Sequence, residues 1–173
     1  MSGHTLGVTD GIAATNPTSA IPYVDVVLGN RTRICPLLQG AGTLAPASSQ
    51  VANLTVLEFH IYDTRTATFN TGTFPVPPPN PTVTPVIEAD VFFSSNGSAL
   101  SDAGPGCQSE FFQWASSGAV TVTALQPTVV GSYDLMFGSA HVTGAFDVSY
   151  CSNVNIQGTG DGAGGGTPAV CEP

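Results

Sequence analysis

The chain has 173 residues, of which only 9% are charged, against roughly 25% in an average soluble protein. Lysine is absent and the only fixed cations are Arg31, Arg33 and Arg65, so the net charge of −9 reflects missing bases, not acidic blocks. This argues against nucleic acid and anionic lipid as partners, because both are held by clustered Lys and Arg. The length suits one domain with a real core, and no run approaches the ~18 apolar residues of a membrane-spanning helix. A surface of Ser, Thr, Asn and Gly suits a secreted protein or one on the outer cell surface.

Residues 1–20 are small and polar and predict an N-terminal arm or a first edge strand. Met1-Ser2-Gly3 reads as the start of a mature chain whose export signal has been removed. Residues 21–151 read as a single all-β domain. In IPYVDVVLG, Val24, Val26 and Leu28 share one face and Tyr23 and Asp25 the other, a strand that stops at Gly29-Asn30. RTRICPLLQGAG is apolar without alternation and broken by Pro36, so it predicts a single helical turn or an irregular crossover carrying Cys35.

VANLTVLEFHIYD is the longest strand of the first half. Leu57, Phe59 and Ile61 face one way, and Leu54, Val56, Glu58, His60 and Tyr62 the other; bulk on both faces predicts a central position. TATFNTGTFPV is a further strand with a break at Gly72, and the five prolines between Pro77 and Pro85 predict an exposed polyproline-like connection. VIEADVFFS turns Ile87, Ala89, Val91 and Phe93 inward and Glu88 and Asp90 outward. NGSALSDAGPGC reads as a loop by composition, and SEFFQWA as a short aromatic strand.

The stretch from Gly118 to Cys151 alternates most clearly. Val120, Val122 and Ala124 share a face in the first run; Val129, Gly131, Tyr133, Leu135 and Phe137 do so in the second; Val142, Phe146, Val148 and Tyr150 do so in the third. This is a three-stranded meander with one wet face. Residues 152–173 form a tail with six glycines between Gly158 and Gly166, anchored by Cys171. About eight to nine strands and almost no helix predict an all-β fold, an antiparallel β-sandwich or a β-barrel, with both architectures open.

Cys35, Cys107, Cys151 and Cys171 make an even count without any C-x-x-C spacing, which favours two disulfides over a metal site. The favoured pairing is Cys107–Cys151 with Cys35–Cys171. The first would tie the strand entering the meander to the strand ending it, and the second would pin the glycine-rich tail.

The order of motifs is itself distinctive. L-T-V-x-E-x-H-I-Y-D precedes T-G-T-F-P-V and a proline-rich turn; A-D-V-F-F precedes a cysteine, S-G-A-V-T-V-T, G-S-Y-D-L-M-F and V-T-G-A-F-D-V-S-Y-C. Over residues 24–151 this layout resembles the exported lipoproteins that soil and predatory Gram-negative bacteria encode in many copies. Their C-terminal half has the pattern sGtVtvt, G-f-D-l-t-f, vtGsFda and a cysteine. The resemblance implies export, an all-β domain and a lipid anchor on an N-terminal cysteine absent from this chain. It carries over no active site.

Few residues suggest chemistry. His60 and Glu58 sit at i, i+2 on one strand face, a spacing that lets two side chains reach one metal; the simpler reading is a polar pair on the wet side of a strand. Glu88 and Asp90 share a face in the same way, and paired carboxylates serve glycoside hydrolysis or calcium, yet two outward acids are most simply solvated. His141 lies on the polar face of the last strand, and His4 near the start. Phe112 and Trp114 share a face opposite Phe111, so one side of that cluster is core and the other is a candidate ligand platform. No catalytic motif and no cofactor signature is present.

Two functional classes lead. The first is a secreted or cell-surface structural or interaction module without catalytic activity, assembling with itself into an oligomer or filament, or with other surface components. The alternative is a carbohydrate- or small-ligand-binding β-module resting on Trp114 and Phe112.

Overall fold

The alternating runs pair into one nine-stranded sheet in the computed structural model, which describes residues 7–15, 22–40, 51–65, 68–77, 87–100, 107–152 and 154. Its elements are β1 (Asp10–Ala14), β2 (Tyr23–Gly29), α1 (Ile34–Gly40), β3 (Thr55–Asp63), β4 (Gly72–Pro75), β5 (Ile87–Leu100), β6 (Cys107–Trp114), β7 (Ser117–Ala124), β8 (Val129–Phe137) and β9 (Ala140–Tyr150). The spatial order is β4-β7-β8-β9-β1-β2-β3-β5-β6. Every pairing is antiparallel except that of β1 with β9, which is parallel. The sheet is thus mixed, and it curls into a half-barrel that leaves β4 and β6 as edges.

Curling brings the inward faces of the two ends together over one core. Val24, Val26 and Leu28 of β2, Leu57, Phe59 and Ile61 of β3, and Ala89, Val91 and Phe93 of β5 meet Val120, Val122, Leu135, Phe137, Phe146 and Val148 of the meander. Phe59 is the keystone: it is fully buried, its ring lying 5.3 Å from that of Tyr133 and 5.7 Å from that of Phe146. Burial of such a side chain contributes on the order of 2–3 kcal/mol. Residues that alternate in sequence are therefore the residues that meet, and the central position expected for β3 follows from apolar residues on both its faces.

The second face is covered at one end. Ile34 and Leu38, four apart on α1, press with Val51, Leu54, Val56 and Val27 into a smaller cluster outside the sheet. Pro36 is tolerated because it lies in the first turn, where its missing N–H would have no intrahelical partner. Asp10 accepts the Ile34 N–H at 3.1 Å through its second oxygen, capping the helix from β1.

Tertiary pairing corrects three sequence expectations. Residues 10–14 are not an edge strand: β1 lies inside the sheet, between β2 and β9. The NGSAL stretch is not a loop but the second half of β5. Its polar groups are taken up across the sheet, with the Asn96 side chain donating to the Val51 carbonyl at 3.2 Å and the Asn96 N–H to the Leu54 carbonyl at 3.0 Å. Thirdly, Cys35 is bonded to Cys151, which rules out both favoured pairs, Cys107–Cys151 and Cys35–Cys171. The bond ties α1 to the end of β9, elements 116 residues apart in sequence that the β1–β9 junction brings together. Cys107 is also disulfide-bonded. Cys171, the glycine-rich tail beyond Val154, the prolines from Pro78 to Pro85, His4 and the arm before Gly7 lie outside the described residues.

Candidate functional site

The residues picked out separately in the sequence converge on the outer face of β2, β3, β5 and β6. Strand register does this. Asp25, His60 and Asp90 lie abreast on β2, β3 and β5, and the next row outward on the same face is Val27, Glu58, Phe92 and Trp114. Phe112 stands beside Ser94 one row further along. Because the core takes Phe59, Ile61, Val91 and Phe93, alternation forces His60, Glu58, Asp90 and Phe92 to the opposite side.

In the polar half of the site Glu58 and Asp25 are buried, while His60, Tyr62 and Asp90 are partly buried. Glu58 is 0% and Asp25 2% exposed, and His60 Nδ1 lies 2.8 Å from Asp25 Oδ1. Burial alone would drive the proton off the ring, but the Asp25 hydrogen bond and the charges of Asp25, Glu58 and Asp90 outweigh it, so the His60 pKa is raised above 6.5. Burial also raises the Asp90 carboxyl, an effect that the His60 charge partly offsets. The Tyr62 hydroxyl donates to Asp90 Oδ2 at 3.3 Å. The result is a cluster of one imidazole ring among three carboxyl groups, Asp25, Glu58 and Asp90.

An aromatic ladder leads from this cluster to solvent. The His60 ring is 5.4 Å from Phe92. Phe92 is 5.1 Å from Trp114 and 5.2 Å from Phe112, and those two meet edge-on at 5.3 Å and 83°. Phe92 is buried, whereas Phe112 and Trp114 are 49% and 51% exposed. Phe111 points the other way, against Phe93 in the core. The division of this cluster into a structural and an open half thus holds, with Phe112 and Trp114 on the open side.

Other candidates separate. His141 sits on β9 far from this face and pairs in solvent with Asp134 at 2.7 Å. The Glu88 side chain lies outside the described residues. Among the described residues no group of three His, Cys, Asp or Glu side chains is placed to hold a metal ion; His60, one of the two candidate ligands, directs Nδ1 at Asp25. Asp25 is the member that sequence reading passed over. It appeared as the polar face of a strand, and only the β2–β3 register sets it opposite His60.

The chain matches no family model, and comparison with curated proteins and with solved structures finds no match. Among the described residues no helix is long and apolar enough to cross a membrane.

Proposed function

We propose that this chain is a secreted or cell-surface interaction module without catalytic activity, and that it binds carbohydrate on the outer face of β6. The supporting observation is the Phe112–Trp114 pair, large aromatic rings left half exposed beside a sheet edge and braced from below by Phe92. Rings in that position present apolar faces to the C–H face of a pyranose. The Asp25–His60–Asp90 row lies beside Phe92 on the same face, and the His60–Phe92 contact helps hold the platform in place before ligand arrives.

Trp114 is the only tryptophan in the chain, so its fluorescence reports on the platform directly. Titration with soluble oligosaccharides from cellulose, chitin and peptidoglycan is expected to shift its emission saturably. Trp114→Ala is expected to weaken retention on the matching insoluble polysaccharide at least tenfold with the thermal midpoint kept. Retention equal to that of the parent chain would remove the platform from the function.

Assembly with itself is the second reading, favoured by the open sheet, whose edges β4 and β6 are each paired on one side only among the described residues. Against it, β4 has four residues and ends at Pro75, and β6 carries the exposed Glu110. Both features blunt edge-to-edge pairing.

A further inference from the structure

The open face of β6 carries a carboxyl group as well as its two rings. Exposure alternates along the strand from Glu110 to Trp114, which sets Glu110, Phe112 and Trp114 on one side and Phe111 and Gln113 on the other. Between Ser95 and Asn96 the register with β5 slips, and Glu110 is the residue left opposite no partner. A bulge of this kind re-aims a side chain at a sheet edge. The Glu110 carboxyl lies beside Gly97, where a Cβ would come within 3.0 Å of it.

No base answers that carboxyl. Among the described residues Glu110 enters no ion pair, and the three arginines of the chain are engaged elsewhere. Arg65 donates to the two oxygens of Asp63 at 2.9 and 2.7 Å. Arg31 donates to the Ala52 carbonyl at 2.8 Å, and Arg33 lines the cleft beside β1 and β9. With no lysine and a net charge of −9, nothing offsets Glu110 on this face.

The combination selects a ligand. Apolar ring faces take the C–H face of a sugar, and the faces of Trp and Phe also attract a cation held over them. A carboxylate in the same row holds an ammonium group and repels acidic or phosphorylated sugars. Side chains two apart on a strand are about 6.7 Å apart. A sugar chain lying along β6 can therefore set one unit on Phe112 and the ammonium of the next against Glu110.

We propose that the platform binds oligomers of an amino sugar whose amines are free and protonated. This rests on the carbohydrate reading above and names the class of sugar.

The probes are the tetramer of glucosamine and its fully N-acetylated counterpart, titrated into the intact chain by calorimetry in mildly acidic buffer while Trp114 emission is followed. The free-amine tetramer is expected to bind about fivefold more tightly or better. Glu110→Gln should narrow that ratio about threefold or more. Tetralysine, equal in charge but without sugar rings, should bind at least about fivefold more weakly than the free-amine tetramer. Equal affinity for the two tetramers, with a saturable Trp114 response to both, overturns the amine preference and leaves the carbohydrate reading standing. A ratio unchanged in Glu110→Gln, or tetralysine bound as tightly, reduces the effect to overall charge and overturns the proposal too. Absence of a saturable response to either tetramer and to neutral oligosaccharides removes the platform and the proposal together.

Discussion

At the scale of single residues, the His60–Asp25 contact makes the sharpest demand. A histidine whose folded pKa is raised adds stability that is fully present below its unfolded value, near 6.5, and is lost as pH rises through the folded value. Denaturant unfolding should therefore show stability falling as pH climbs from about 6.5, a dependence that Asp25→Asn flattens. At pH 6 the same substitution should cost roughly 1.5–3 kcal/mol, the worth of a hydrogen bond to a charged group. A ring titration of His60 by NMR checks the assignment, since its pKa must drop in Asp25→Asn. Glycine makes a second demand at this scale. Gly131 faces Phe146 and Gly144 faces Tyr133 across β8 and β9. A Cβ on Gly131 would come within 2.5 Å of the Phe146 ring, and one on Gly144 within 2.5 Å of the Tyr133 ring. Each aromatic ring thus lies over a bare backbone. Gly131→Val should cost about 1–3 kcal/mol or more in urea unfolding, because the added carbon meets the Thr121 carbonyl oxygen on β7 as well as a ring of the main core.

Among the elements, the parallel β1–β9 junction is the decisive one. It converts what would be two antiparallel sheets into one continuous sheet, although only two residue pairs span it. So short a junction needs support, which comes from α1 through the Asp10 cap and the Cys35–Cys151 bond. Closing a loop of this length restricts the unfolded chain by on the order of 4–5 kcal/mol in the chain-entropy account. The double variant Cys35→Ser, Cys151→Ser should lose roughly 2–5 kcal/mol, with exchange rising first in β1 and at the end of β9. Proteolysis without reductant is expected to release a fragment pair joined through Cys35 and Cys151; a pair joined through Cys107 and Cys151 would contradict the fold around α1.

For the whole molecule, the open half-barrel carries its candidate platform at the β6 edge, away from the parallel β1–β9 junction. Net repulsion at −9 and the blunted edges both oppose association of identical chains. Light scattering after sizing should accordingly give a species near 17.6 kDa. Filaments or large closed particles would instead make β4 and β6 joining surfaces and turn the module into a structural subunit.

Local pattern was enough to determine the all-β class, the inward and outward sets of nearly every strand, and the division of Phe111 from Phe112 and Trp114. Each of those depends on alternation with a period of two, a property of neighbouring residues. Register, parallel pairing and cysteine partners depend on residues far apart in the chain, and only the tertiary structure decided them. Asp25 and His60 are 35 positions apart, and Cys35 and Cys151 are 116 apart. The NGSAL stretch illustrates the same limit: its composition favours a turn, but Val51 and Leu54 offer carbonyls to Asn96 across the sheet, and those long-range bonds outweigh a local preference.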